Sequence, residues 1–290
     1  MKKQKPWGAL FLLILALPLL AGCGDADSTG MRDHEHPLVT VSIPPERAFA
    51  EAVCGNLAHI MTVIPPGSSP ETYEPTPLQQ ETFADANIFF AIGIPVEDNQ
   101  VLPYLAEKTA VVDLSNEVSA AYTDLTIADG RDPHIWLSPK RAIVMVQAIA
   151  RKMAQLDPKN KNAYEDNAEV YIAQLQALDQ ELTDMTAAVD KKDFIVFHPA
   201  FAYLAADYGL EMHALEQDGK EATAVHLQEM IDLARAKDIK ILFSQAEADT
   251  RQAEAFAEEI GGTVVVLDPL SDQYIDNMRS MMQAIIDSLQ

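Results

Sequence analysis

Four polar residues stand where proline stiffens the chain beside short apolar runs: Glu71 in GSSPETYEPTP, His134 in DPHIWLSP, His198 in FIVFHPAF and Asp268 in VVVLDPL. Two imidazoles and two carboxylates are a donor set for a divalent transition metal, since imidazole suits zinc and iron and carboxylate suits harder ions such as manganese. His198 directly follows the apolar run 194–197, and Asp268 follows 264–267. Ligands of open α/β sheets bind outside the carboxyl ends of the strands, so both side chains are expected to face a crevice. The proline next in line ends each strand and stiffens the corner. His134 lies just before a helix start at Ser138-Pro139, and Glu71 follows IMTVI through PPGSSP. Taken singly, each is equally an ordinary corner, because Asp-Pro is a common turn starter and His-Pro is often packed or solvated. No CxxC, HExxH, GxGxxG or P-loop pattern offers a competing chemistry.

The elements that must position these residues alternate along the chain. Buried strands are expected at 38–43, 60–64, 87–93 and 110–114, then at 194–197, 239–243 and 263–268, with helical patterns such as 226–238 and 251–261 between them. That alternation predicts an α/β fold of mostly parallel sheets covered by helices. Ser138 and Pro139 supply an N-cap and a first-turn proline for a helix running to about Leu156. Beyond it Tyr164, Ala168, Tyr171, Leu175, Leu178, Leu182 and Met185 recur at steps of four and three, one apolar stripe on a long helix over 159–189. At 1.5 Å per residue it would span about 45 Å, more than one small lobe needs. The expected architecture is therefore two α/β lobes joined by one long rigid helix, with the N-terminal lobe at 38–158, the helix at 159–190 and the C-terminal lobe at 191–290. A coiled-coil dimer seam fits the same stripe, but the flanking strands need covering, and a monomer is expected.

The ends and the charge bound the setting. Lys2, Lys3 and Lys5, an apolar run from Trp7 to Leu20 and small residues before Cys23 have the layout of a secretory signal over 1–22. The run is shorter than the roughly 20 residues that span a bilayer. LAGC (20–23) resembles a bacterial lipobox, implying cleavage before Cys23, lipidation of its thiol and anchoring to the membrane through lipid alone. Residues 23–37 read as a flexible tether in which His34 and His36 flank Glu35. Removing 1–22 takes three lysines and no acids, so the formal charge moves from -23 to -26. So acidic a body argues against nucleic acid as a partner and against adsorption to anionic lipid. Cys54, in AFAEAVCGNL, reads as a buried structural thiol.

The motifs PPGSSPETYEPTP, DPHIWLSP, FHPAFAYLAADYGL, EQDGKEAT and VLDPLSDQYIDNM jointly resemble the zinc/manganese solute-binding lipoproteins of ABC importers, over essentially the whole mature chain. The resemblance implies two α/β lobes on a rigid helix, one zinc or manganese ion held between them as cargo, delivery to an importer permease with its ATPase, and no enzymatic activity. It places the ligands on Glu71, His134, His198 and Asp268. At the first of these the family usually has histidine, and the histidine-rich acidic loop of zinc-type members has no counterpart in 116–131. With neutral histidines and two ionised carboxylates a divalent ion gives a site of zero net charge, whereas three histidines and one aspartate would leave +1, which costs more to bury. Zinc still outranks manganese at most N/O sites, so the donor set does not name the metal.

Two alternatives remain open at this level. If Glu71 is not a ligand, Glu74 or Glu247 could help, or three ligands plus water would resemble a zinc hydrolase site. A metal-binding surface adhesin is compatible with the same motifs. His59, His213 and His226 read as structural, and Tyr73 and Trp136 as packing around the site. Histidine ligation predicts affinity that falls as pH drops through about 6.5.

Overall fold

The computed structural model describes residue 1 and residues 36–127, 130–217, 222–246 and 250–290. The signal, Cys23 and most of the tether lie outside the described residues. His36 is described, and its ring meets His59 edge-on at 5.9 Å.

Strands β1 (Leu38–Val41), β2 (His59–Thr62), β3 (Ile88–Ala91) and β4 (Ala110–Asp113) form a parallel sheet in the order β2-β1-β3-β4. A second parallel sheet joins β7 (Asp193–Val196), β8 (Glu211–Ala214), β9 (Ile241–Gln245) and β10 (Thr263–Leu267) in the order β10-β9-β7-β8. Counted from its own first strand, each sheet has the same order, 2-1-3-4. Two short strands, β5 (Thr126–Ile127) and β6 (Gly130–Arg131), pair antiparallel later in the first lobe, after β4. Central strands are buried on both faces, as the unbroken runs of apolar residues require: Val39, Val41, Phe89, Phe90, Phe194 and Ile195 are all essentially inaccessible.

Of these strands, β8 and the β5–β6 pair are not foreseen in the sequence reading. β8 (EMHA) is an edge strand beside β7 alone and is half-buried at most. One open face lets Glu211 and His213 sit in it, and the apolar run that marks a central strand is missing.

Helices α1 (Pro44–Cys54), α2 (Pro77–Ala84) and α3 (Leu114–Ser119) belong to the first lobe. The helix foreseen after Ser138 is α4 (Pro139–Leu156), and the Ser138 side chain accepts from the Arg141 N–H as its N-cap. The long helix is α5 (Lys161–Ala187), preceded by a 3-10 turn at Pro158–Asn160. Its 27 residues span about 40 Å, slightly less than the stripe suggested. Tyr164, Ala168, Leu175, Leu178 and Leu182 are buried, while Tyr171 and Met185 pack half-buried on the same core. The second lobe carries α6 (Ala202–Tyr208), α7 (Ala224–Lys237), α8 (Thr250–Glu259) and α9 (Tyr274–Ser288). Helix α5 packs on α1 and α4 of the first lobe and on α6 and α9 of the second, so its stripe is covered within the chain.

One apolar cluster runs through both lobes and along α5, from Val39 and Phe89 through Leu175 to Phe194, Leu267 and Met282. A smaller cluster fills the space between the second sheet and its outer helices, around Phe197, Ile231, Leu242 and Phe256. Cys54 is buried in the large cluster, and burial pushes its thiol up to about 12, which makes it packing rather than a nucleophile.

Candidate metal centre

The carboxyl ends of the strands in both lobes open onto one cavity of about 250 Å³. Ser69–Thr72 reach it from the loop after β2, Ile94 and Pro95 from the loop after β3, and His134 and Trp136 from the segment that leads into α4. The second lobe contributes Phe197 and His198 after β7, Glu216 after β8, Gln245 at the end of β9, and Pro269 and Leu270 after β10.

Three of the four sequence-predicted ligands meet in this cavity. Glu71, His134 and His198 each offer a donor atom, and these atoms lie within 4.8 Å of one another. The Nε2 atoms of His134 and His198 are 3.4 Å apart, and Glu71 Oε1 is 2.9 Å from His198 Nε2. Two nitrogens bound to one tetrahedral zinc at about 2.05 Å would be separated by about 3.3 Å, so the imidazoles already stand at a chelating distance. Both histidines are nearly buried, whereas the Glu71 side chain is 49% exposed, at the mouth of the cavity.

A carboxylate behind each histidine sets its orientation. His134 Nδ1 donates to Asp132 Oδ1 at 2.7 Å, and the His134 backbone N–H donates to the same oxygen at 2.9 Å. His198 Nδ1 donates to Glu216 Oε2 at 2.6 Å. With Nδ1 engaged, Nε2 of each ring is the atom turned to the cavity, the arrangement that carboxylate–histidine–metal sites use. Neither carboxylate is singled out in the sequence reading as a site residue. Asp132 stands two residues before His134 in DPHIWLSP, a signal that is legible afterwards. Glu216 opens EQDGKEAT but follows the unforeseen strand β8, so nothing local points it at His198.

The electrostatics follow from this crowding. Burial alone would push the His198 imidazole down, but hydrogen bonds to Glu216 and Glu71 and their charges raise it to about 9. The hydrogen bond from His198 in turn holds the Glu71 carboxyl below its ordinary value, against the opposing effect of burial.

Asp268 stands apart from this group. It is exposed, and its Oδ1 accepts the Leu270 N–H at 3.0 Å, although Pro269 and Leu270 beside it line the cavity. Glu74 is exposed and lies outside the lining, and Glu247 lies outside the described residues. Trp136 lines the cavity, and its Nε1–H donates to Pro269 O at 2.9 Å. Tyr73 is not among the lining residues; its hydroxyl accepts from Gln79 at 2.7 Å. His213 pairs with Asp193 at 3.0 Å, and His226 donates to the Ala214 carbonyl at 3.0 Å, both away from the cavity.

The comparisons with known proteins agree with the motif resemblance. The chain is 28% identical to the high-affinity zinc uptake system protein ZnuA of Bacillus subtilis (strain 168), over 98% of each chain. It is 24% identical to the manganese-binding lipoprotein MntA of Halalkalibacterium halodurans, over 96% of this chain and 97% of that one. Among solved structures, a crystal structure of ZnuA superposes with a TM-score of 0.82 at 33% identity, covering 88% of this chain and all of the other. The family model described as ZnuA, zinc-uptake complex component A periplasmic, matches residues 39–288, and the chain belongs to that family.

Proposed function

We propose that this protein binds one divalent transition-metal ion, zinc or manganese, outside the cytoplasm and hands it to the permease of an ABC importer without acting on it chemically. The observation that carries the reading is the convergence of His134 Nε2, His198 Nε2 and a Glu71 oxygen on one cavity, each imidazole braced by a carboxylate. Glu71, His134 and His198 are the ligands assembled in advance. Asp268 completes the shell by giving up its bond to the Leu270 N–H. Cleavage before Cys23 and lipidation of that residue hold the body at the membrane surface. No helix among the described residues is long and apolar enough to cross a membrane. The lobes at 38–158 and 191–290 flank the connecting helix of 159–190 as one monomeric carrier.

The test is a chelator-competition titration of metal-free protein with zinc and with manganese, beside Glu71→Gln and Asp268→Asn. Each substitution is expected to weaken binding at least tenfold, about 1.4 kcal/mol. Wild-type affinity in Glu71→Gln removes Glu71 from the shell. Wild-type affinity in Asp268→Asn leaves three protein ligands and an open position, the coordination of a metallohydrolase, and turnover assays on ester, phosphate and peptide substrates then decide.

A further inference from the structure

Behind the first-lobe wall of the cavity lie two carboxylates buried as deeply as the apolar core. Glu46, in the first turn of α1, is wholly inaccessible, and Glu97, which begins the π-helical turn Glu97–Val101, is 2% exposed. No lysine, arginine or histidine forms a salt bridge with either one among the described residues. Their hydrogen bonds differ. Both oxygens of Glu97 are used: Oε1 accepts from the Ile92 N–H at 2.9 Å and from the Ser42 hydroxyl, and Oε2 accepts from the Gly93 N–H at 2.8 Å. Only Oε2 of Glu46 is used, accepting from the N–H groups of Ser42 at 2.9 Å and Ile43 at 3.2 Å, while Oε1 is buried without a partner.

Ser42 follows β1 and Ile92–Gly93 follow β3, adjacent strands at the point where the order of the first sheet reverses. That crevice is where an open α/β sheet ordinarily receives its ligand. Here successive backbone N–H groups form an anion-binding concavity, and the protein fills it with its own carboxylate. Gly93 makes the turn possible: its φ is +84°, and a Cβ there would meet Ser115 Oγ at 3.2 Å. The two residues after this turn are Ile94 and Pro95, which line the cavity.

We propose that Glu97 is a positioning residue for the metal pocket: by tying the loop after β3 to the end of β1, it sets where Ile94 and Pro95 stand against the ion. This rests on the reading of the cavity as a metal site. Glu46 plays a different part. With no cation paired to either one among the described residues, two like charges that meet around Ser42 cannot both be held in the core. Glu46 is the one that keeps its proton, and burial together with the Glu97 charge raises its carboxyl well above the ordinary value. Burial also raises Glu97, to about 7, against the hydrogen bonds from Ser42, Ile92 and Gly93 that favour its charged form.

The hydrogen bonding makes the test asymmetric. In Glu46→Gln the amide oxygen keeps both N–H bonds and the NH2 takes the place of the unpartnered oxygen. In Glu97→Gln the NH2 is set against an N–H or hydroxyl donor whichever way the amide is turned. Zinc affinity by chelator competition on the folded, full-length protein is expected to fall at least tenfold in Glu97→Gln and to stay within twofold in Glu46→Gln. Phe83→Leu, a change in the buried core outside the cavity lining, serves as the control and is expected to lower stability without moving affinity. Wild-type affinity in Glu97→Gln, or a loss no greater than that in Phe83→Leu, overturns the proposal. Should Glu97→Gln not fold, Ser42→Ala decides: a threefold or larger loss supports the tie and an unchanged affinity overturns it. A wild-type protein that binds neither zinc nor manganese overturns the transport reading and this inference with it, whereas metal binding that ignores Glu97 overturns this inference alone.

Discussion

In the metal-free pocket His198 stands between two carboxylates, and an arriving ion has to replace the proton that Nε2 donates to Glu71. The sequence alone suggests an affinity that levels off above about 6.5, the ordinary histidine value. Because Glu216 and Glu71 hold the folded-state value near 9, the proton is still bound at neutral pH, and the limit moves upward. Metal affinity is therefore expected to rise about tenfold per pH unit between 7 and 8.5, with close to one proton released per ion. Calorimetric titration in two buffers of different ionisation enthalpy measures that release; flat affinity over this range with no proton released refutes it. The sign for stability is the opposite. A histidine raised above its unfolded value contributes fully below about 6.5 and loses that contribution as pH rises through about 9. Metal-free protein should accordingly lose melting temperature over that window, and Glu216→Gln should flatten the loss.

At the scale of elements, the segment that leads into α4 is bolted to the second lobe on both sides of His134. Tyr203 of α6 donates to the Asp132 carbonyl and accepts from the Leu125 N–H, each at 3.1 Å. Trp136 donates to Pro269, and the Tyr274 hydroxyl donates to the Trp136 carbonyl at 2.7 Å. At the start of α4, Arg141 pairs with Asp207 of α6 at 2.7 Å, both nearly buried, with its guanidinium 4.3 Å from the Tyr203 ring centre. Removing one partner of such a pair leaves an uncompensated charge, so Asp207→Ala is expected to cost about 3–5 kcal/mol in urea unfolding. A loss below 1 kcal/mol would show the pair to be solvated. The start of α4 is legible in Ser138-Pro139 because capping is local chemistry. Its clamp to α6 is not, since Arg141 and Asp207 are 66 residues apart and neither carries a local signal of the other.

Over the whole molecule, the large apolar cluster is continuous from the first sheet through α5 to α9, where Tyr274 meets Phe49 of α1 with ring centres 4.8 Å apart. Swinging the lobes apart would split this core and break the bonds around His134. Only a small change in radius of gyration is therefore expected when metal is added to metal-free protein, and solution scattering that shows a large compaction would reject a rigid connection. By itself the sequence determined the repeated alternation of strand and helix, the limits of α4, the stripe of α5 and the donor types beside proline, all of which depend on neighbours in the chain. The tertiary structure alone decided that Glu71, His134 and His198 meet while Asp268 turns to Leu270, and that Asp132 and Glu216 stand behind the imidazoles. It also decided that His198 stands between Glu71 and Glu216 and that Glu46 and Glu97 share the core. Each of these depends on distances between residues remote in the chain and on how strongly charges interact once water is excluded, which no local pattern records.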